Sequence, residues 1–232
     1  MKKYELTTET LQFAGRTLHR IKAVKDFGSI KAGEFGGYIE NEKNLSQDDN
    51  AWIYGEAMAF GNARVFGNAK ILGNAHIFGN AKVFDSARVY DDARVYDDAI
   101  VHNNARIYDN AIVYDNAIVS DYAEVCENAK VCDNAEVDGL TRIFGNAKIF
   151  GNATIKGNAK VHDDIDYIVF KNFWSSGRYF TWTRSNNKWS VGCFYGTGEE
   201  LIKKAYADSE KSGREYERAV RYVESILADE RK

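Results

Sequence analysis

The sequence predicts a mainly β protein, in which a triangular solenoid with 18 residues per coil precedes a small C-terminal α+β domain. Alanine recurs every six residues from Ala51 to Ala159, and of these 19 positions only Thr141 departs. Ile or Val stands two residues after each of them, with Ala59 as the one exception. A helix would need apolar residues spaced by about 3.6, so a strict period of six favours short strands.

The chemistry of each hexad explains how such a coil closes. Residues two apart on a strand point to the same side, so the Ala and the Ile or Val face inward. Two turn residues follow, usually Gly-Asn, Asp-Asn or Asp-Asp, and these residue types tolerate the positive φ angle of a tight corner. Three strands and three corners then make one coil, and about six coils stacked at ~4.8 Å make a prism.

The chain divides into three regions. Residues 1–50 are predicted to form an N-terminal cap with irregular first coils, because an open prism end would expose backbone groups. Residues 51–162 form the repeat itself, without insertion. Residues 163–232 form a C-terminal appendage with a hairpin around Ser185–Asn187 and two helices, whose capping boxes are read at Thr197 with Glu200 and at Ser212 with Glu215.

Composition excludes several classes of protein. The 232 residues are 44% hydrophobic and 28% charged, with a formal net charge of -3, which is typical of a globular protein and disfavours direct nucleic-acid binding. No run of 18 apolar residues is present, so we expect no membrane span. The N-terminus does not resemble a secretory signal, and three cysteines are too few for a disulfide framework. The expected location is therefore the cytoplasm.

Two outer faces carry ladders of large side chains, because residues 18 apart lie on the same face. The first face carries Tyr54, Leu72, Tyr90, Tyr108, Cys126 and Phe144, and the second carries Phe60, Phe78, Tyr96, Tyr114, Cys132 and Phe150. Such ladders exceed what a solvated monomer usually exposes. We expect them to bury against sister subunits in a dimer or trimer, against the appendage, or against another protein. The residues predicted for self-association are Tyr90, Tyr96, Tyr108 and Tyr114.

A smaller apolar feature interrupts the polar corners. Tyr122 and Leu140 replace the usual Asn at one corner of adjacent coils, and Ile100 and Ile118 stack on the neighbouring third face. We expect these four residues to form an exposed patch that binds a partner or a second copy of the chain.

Charge is segregated along the repeat. Residues 85–138 hold 13 acidic and four basic side chains, a net charge of -9, whereas residues 139–162 hold four basic and no acidic ones. Two corner columns are acidic: Asp91, Asp109 and Glu127 form one, and Asp97, Asp115 and Asp133 form the other. Aspartate is a good corner residue in its own right, but the same columns would also imitate a phosphate backbone and occupy a basic groove on another protein.

The uninterrupted small-x-Ile/Val unit of residues 51–162 resembles the left-handed parallel β-helix of hexapeptide-repeat proteins. The left hand is what this resemblance implies. For the acyltransferases of that family it also implies a histidine at a subunit interface and a loop extruded from the coils. No loop is extruded here, and His76, His102 and His162 fall on three different faces. We therefore predict no enzyme, no catalytic residue and no cofactor.

A metal site is not predicted either. Cys126 and Cys132 lie on adjacent faces, and zinc would lack a third and a fourth ligand. Cys193 is expected to pack in a strand among aromatic residues.

Short segments outside the repeat resemble hexapeptide-repeat proteins of bacteriophages and prophages, whose function is unassigned. They are Phe27-Gly28, residues 36–40, residues 44–46 and residues 192–197. This resemblance implies a host-cell setting in which small proteins act by binding host proteins. The sequence thus favours a non-enzymatic solenoid that binds and inhibits a bacterial host protein, such as a nucleic-acid-binding nuclease of a defence system, in the manner of an anti-CRISPR protein. A structural virion or scaffold protein and an acyltransferase remain as alternatives.

Overall fold

The computed structural model describes residues 2–230, and three parallel sheets wrap around a common core. Each hexad supplies one two-residue strand, and strands 18 residues apart pair in register, as Arg88 does with Arg106. The predicted parallel β-solenoid with 18 residues per turn is therefore confirmed, and it has about seven coils where the repeat alone predicted about six. Its left hand stays a prediction from the resemblance.

The strands are distributed over the three faces in turn. On the first face lie β4 (Trp52–Ile53), β7 (Lys70–Ile71), β10 (Arg88–Val89), β13 (Arg106–Ile107), β16 (Glu124–Val125), β19 (Arg142–Ile143) and β22 (Lys160–Val161). On the second face lie β5 (Met58–Ala59), β8 (His76–Ile77), β11 (Arg94–Val95), β14 (Ile112–Val113), β17 (Lys130–Val131) and β20 (Lys148–Ile149). On the third face lie β6 (Arg64–Val65), β9 (Lys82–Val83), β12 (Ile100–Val101), β15 (Ile118–Val119), β18 (Glu136–Val137) and β21 (Thr154–Ile155).

The interior is the continuous column of small and branched side chains that the hexads predict. The repeated Ala and Ile or Val positions are at most 1% exposed. Thr141 takes one of the alanine positions, and its buried hydroxyl group has no hydrogen-bond partner among the described residues. An unpaired buried hydroxyl costs about 1–3 kcal/mol, so this coil is locally less favourable than its neighbours.

The corners adopt the predicted left-handed backbone. The first residue of each corner from position 55 to position 157 has a positive φ angle, whether it is glycine, as at Gly73 (64°), or not, as at Asp109 (55°). At Gly67 a Cβ atom would lie 2.8 Å from the backbone nitrogen of Asp85 in the next coil. Close stacking of the coils therefore adds to the reason for glycine there.

The N-terminal region extends the second sheet and closes one end of the prism. A hairpin of β1 (Tyr4–Phe13) and β2 (Arg16–Ala23) pairs with β3 (Phe35–Ile39), and β3 pairs in parallel with β5. After β3 comes a 3-10 turn (Glu42–Asn44). Two polar side chains of this region, Lys3 and Asn44, are buried. Lys3 Nζ donates to the carbonyl oxygen of Ala51 at 2.9 Å, and Asn44 Nδ2 donates to that of Ala63 at 2.9 Å.

The C-terminal region closes the other end. A second 3-10 turn (Asp164–Asp166) leads into an antiparallel sheet of β23 (Tyr167–Lys171), β24 (Tyr179–Thr183), β25 (Lys188–Val191) and β26 (Phe194–Gly196). Its side chains accept hydrogen bonds from the N–H groups of the last solenoid strands. The acceptors are Asp164 for Lys148, Thr181 for Thr154 and Ser185 for Lys160, at 2.7, 2.9 and 2.7 Å.

Two helices cover the C-terminal sheet. The first, α1 (Gly198–Asp208), has the predicted capping box of Thr197 and Glu200. The second, α2 (Glu210–Asp229), is capped by Ser209 and not by Ser212, so the prediction placed its start three residues too late. One face of α2 is apolar. Tyr216, Val220 and Val223 are buried there, in the core around Phe180, Trp182 and Trp189. None of the helices among residues 2–230 is long and apolar enough to cross a membrane.

Candidate functional site

The acidic corner columns are rigid hydrogen-bonded ladders. In the first column the carboxylates of Asp91, Asp109 and Glu127 each accept the corner N–H group of the next coil, at 3.4, 3.0 and 3.0 Å. In the second column Asp115 and Asp133 do the same, at 3.2 and 2.8 Å. The backbone hydrogen bonds between coils use the N–H groups of the neighbouring residues. The N–H group of the first corner residue is therefore free to donate to a side chain. One oxygen of each of these five carboxylates is thus held by the backbone, whereas among the described residues Asp97 accepts no such bond.

The columns leave negative charge at the surface. Asp91, Asp97 and Asp133 are exposed, and Asp109 and Asp115 are half-exposed. Each sits at a positive φ angle where glycine would meet less strain. Among these residues Glu127 is the least suited to the left-handed backbone. Its φ angle is 57°, and glutamate adopts this conformation more rarely than aspartate or asparagine. The hydrogen bond of the carboxylate therefore adds to the reason for these residue types at the corners, beyond their tolerance of the turn.

Tyr122 and Leu140 are the most exposed apolar side chains of the solenoid, at 61% and 69%. They stack at the third corner, next to Thr141 and its unpaired hydroxyl group. The C-terminal sheet continues this column with Tyr195, whose hydroxyl group lies over Gly157 one coil further on and accepts a hydrogen bond from Asn186 Nδ2 at 3.0 Å. We call Tyr122, Leu140 and Tyr195 the apolar corner.

Ile100 and Ile118 lie on the third face, before the corner that carries Tyr122. They pair with each other in adjacent strands and are half-buried. Ser120 stands between Ile118 and Tyr122 in the sequence. That the two isoleucines form one partner-binding patch with Tyr122 and Leu140 stays a prediction. Tyr195 was missed because its place above the third corner depends on how the C-terminal sheet docks.

The tyrosine ladders stack within the chain. Ring centroids of Tyr90 and Tyr108 are 5.0 Å apart, and those of Tyr96 and Tyr114 are 5.3 Å apart. All four tyrosines are half-buried. The ladders end on the buried thiols of Cys126 and Cys132. The Tyr114 hydroxyl group contacts Cys132, whose pKa is raised mainly by burial. Intramolecular stacking thus already covers much of each ring, and self-association through these tyrosines stays a prediction.

The remaining cysteine does not lie where the sequence predicts. Cys193 is exposed in the turn before β26, so its predicted place in a packed strand is wrong.

One group of side chains brings possible metal ligands together. Asp115, Cys132 and Asp133 bring one ligand atom each to within 4.8 Å of one another. This grouping follows from the stacking of the second corner. One oxygen of each carboxylate is already engaged by a backbone N–H group, and the thiol is engaged by Tyr114.

The histidines lie apart, but one of them has an orienting carboxylate that sequence reasoning did not foresee. His162 Nδ1 lies 2.5 Å from Asp163 Oδ2, and the hydrogen bond with that carboxylate raises the pKa of His162. His76 packs against Phe13 of the hairpin, and burial lowers its pKa. His102 stacks on Phe84 and lies 3.8 Å from Asp85.

Two comparisons with known proteins match part of the solenoid. A family model described as the YdcK beta solenoid repeat matches residues 87–103 and 105–121. The uncharacterized acetyltransferase YdcK of Escherichia coli (strain K12) is similar to this chain, with 36% identity over 64 residues, 24% of this chain and 20% of that protein. The chain thus spans about a fifth of the length of that relative. The comparisons support the solenoid repeat and leave open whether the chain is an enzyme.

Proposed function

We propose that this chain is a protein-binding solenoid, and that its two acidic corner columns bind a basic groove on a bacterial host protein. The observation that carries the proposal is the hydrogen bond that five of the six column carboxylates, all except Asp97, accept from the corner N–H group of the next coil. A carboxylate held in this way keeps one free oxygen, and it loses little side-chain entropy when it meets Arg or Lys.

The regular spacing of the columns indicates the class of partner. Neighbouring carboxylates repeat with the coils, about 4.8 Å apart, on the two edges that border the second face. A partner that normally holds a nucleic-acid backbone presents lysines and arginines along a groove. Such a groove matches a rigid line of negative charge. The partner class is therefore a nucleic-acid-binding protein, and a nuclease-based defence effector inhibited by occupation of its groove fits this chemistry.

The test uses substitutions that change charge and keep the backbone bond. Asp109→Asn together with Asp115→Asn leaves an oxygen for each N–H group and tolerates the positive φ angle. Wild-type and variant chains are immobilised and incubated with bacterial lysate at about 50 mM and about 500 mM salt. We expect the wild type to retain a basic, nucleic-acid-binding protein at low salt only, and the variant to lose it.

A matched control removes two exposed charges outside the columns, with Asp208→Asn and Glu199→Gln on α1. This control is expected to retain the same protein, and the purified partner should lose nuclease activity when the wild-type chain is added. Equal capture by the column variant, or capture that does not respond to salt, would contradict the proposal. Recovery of the chain in purified virions, with no captured host protein, would favour a structural role instead.

The name of the YdcK relative supports a second candidate function, acetyl transfer. His162 with Asp163 is the histidine best placed for acid–base work, although its raised pKa favours the protonated form over a general base. Titration of acetyl-CoA by calorimetry tests this candidate. Saturable binding, with turnover lost in His162→Asn and kept in His19→Asn, would replace the protein-binding proposal by the enzyme.

A further inference from the structure

The C-terminal domain contains a hollow of about 250 Å³ at the start of α1. Its lining combines a polar rim with an apolar floor, and includes Asn187, Trp189, Gly198, Glu199, Val220 and Glu224. The volume equals that of roughly eight water molecules in the liquid. It suits one molecule of amino-acid size and is distinct from the acidic columns and the apolar corner.

An unpaired indole group opens into this hollow. Trp189 is 1% exposed, and among residues 2–230 its Nε1 donates no hydrogen bond to the protein. Nε1 lies 3.3 Å from the place that a Cβ atom would take at Gly198, another lining residue. The nearby Asn187 Oδ1 atom is engaged by Trp182 Nε1 at 2.8 Å. Trp189 therefore presents a donor that a ligand acceptor would satisfy.

The first residues of α1, Gly198 and Glu199, also line this hollow. Thr197 Oγ1 accepts the N–H group of Glu200 at 3.2 Å. The N–H groups of Gly198 and Glu199, in the first turn of the helix, have no intrahelical partner. A carboxylate placed here would meet these N–H groups, the positive end of the helix dipole and the indole N–H group.

The rim restricts the ligand to one that also carries positive charge. Glu199 and Glu224 both line the hollow, and a simple anion would be repelled by them. Arg221 Nη1 donates to Glu224 Oε2 at 2.8 Å, which leaves the exposed Glu199 to meet an ammonium group. Val220 and Val223, each 3% exposed, form an apolar wall.

We propose that this hollow binds a free α-amino acid with an aliphatic side chain. The carboxylate of the ligand accepts from Trp189 Nε1 and from the first turn of α1, and its ammonium group pairs with Glu199. Its side chain packs on Val220 and Val223. No covalent step is involved. The site is independent of the proposed protein-binding function, so either can fail without the other.

Nuclear magnetic resonance of the indole N–H signals tests the site on the full chain, with L-leucine as the probe. We expect a saturable shift of the Trp189 signal, assigned from the Trp189→Phe spectrum. The matched compounds 4-methylpentanoate, which lacks the ammonium group, and 3-methylbutylamine, which lacks the carboxylate, should bind about tenfold more weakly or worse. Glu199→Gln changes an exposed side chain and should also raise the Kd for leucine about tenfold.

Trp174→Phe is the control for loss of an indole group. Trp174 packs against the same domain core, and its buried Nε1 also lacks a partner, but it does not line the hollow. Binding should be unchanged in Trp174→Phe and weakened in Trp189→Phe. No saturable shift with L-leucine, binding of either analogue as tight as that of leucine, or unchanged affinity in Glu199→Gln would each overturn the proposal.

Discussion

The backbone N–H group of Thr154 in the last strand of the third face donates to the hydroxyl oxygen of Thr181 in the C-terminal sheet, at 2.9 Å. Thr181 is 1% exposed. The same relation joins Lys148 to Asp164 and Lys160 to Ser185 on the other two faces. Each final strand would otherwise offer an open edge to another chain, so the C-terminal region closes the prism by supplying side-chain acceptors.

Thr181→Val should weaken this closure. The substitution removes the acceptor of the Thr154 N–H group in a partly buried setting, and we expect the free energy of unfolding to fall by about 1–3 kcal/mol. Urea denaturation measures it, with the exposed Thr10→Val as control. Size-exclusion chromatography should also show more end-to-end association, since one strand edge is left unpaired. Equal stability of the two variants would mean that the hydroxyl group has no capping role.

Thr141→Val should stabilise the chain. The valine keeps the shape of threonine and removes a buried hydroxyl group that has no partner, so the free energy of unfolding should rise by about 1–2 kcal/mol. Ala123→Val, at the same position one coil below, is the control. It adds volume to a packed interior and should destabilise by about 1–3 kcal/mol. A fall in the urea midpoint of Thr141→Val would show that the hydroxyl group is in fact satisfied.

The regular part of the fold was predictable because one short rule repeats without interruption. Ala111 and Val113 occupy the same environment as Ala93 and Val95 one coil earlier, so each hexad tests the same pattern again. The positive φ angle at Asp109 follows from the same rule, since only the two turn residues can close a corner.

The contacts between regions were not predictable in this way. Tyr195 reaches the apolar corner only because the C-terminal sheet docks above Gly157, and no period in the sequence encodes that docking. Ser209 and Ser212 are both suitable helix caps, and the choice of Ser209 depends on the short turn after α1. The hydrogen bond that the Glu127 carboxylate accepts from the Gly145 N–H group was also not predictable. Its prediction requires knowing which backbone N–H groups the hydrogen bonds between strands leave free.

Asp109 separates the structural role of the acidic columns from their charge. Asp109→Asn keeps the acceptor for the N–H group of Glu127, and the free energy of unfolding should stay within about 0.5 kcal/mol of the wild type. Asp109→Ala removes the acceptor and places alanine at a φ angle of 55°, which should cost about 1–3 kcal/mol. Thermal unfolding of both variants measures this. Equal free energies of unfolding for the two variants would show that the hydrogen bond of the Asp109 carboxylate does not stabilise the fold.

Lys3 should make stability depend on pH. Burial lowers its pKa from 10.5 to about 8, although Asp49 and Asp48 act in the opposite sense. The unfolded chain therefore binds more protons than the folded chain between pH 8 and pH 10, and stability rises with pH across that window, by roughly 2 kcal/mol.

Above pH 10 the sign reverses. Burial raises the pKa of Tyr4, so the unfolded chain loses this proton first and stability falls. Chemical denaturation of Lys3→Met should lack the rise between pH 8 and pH 10. The exposed Lys2→Met should keep it. An identical pH profile for wild type and Lys3→Met would exclude Lys3 as its source.

The apolar corner should mediate association without supporting the fold. Tyr122→Asn together with Leu140→Asn restores the residue that other corners carry, and both side chains are exposed, so the free energy of unfolding should change by less than about 0.5 kcal/mol. If a partner or a second copy buries this corner, the variant should lose that association. Sedimentation velocity and the lysate capture described above detect the two cases separately.

The control for this variant uses the other apolar pair. Ile100→Lys with Ile118→Lys changes the two half-buried isoleucines of the third face and should leave binding at the corner intact, because Ser120 and the turn at Asp121 separate Ile118 from Tyr122. A fall in association of similar size in both variants would show that one interface covers the whole face. Unchanged association in the corner variant would show that Tyr122 and Leu140 face only solvent.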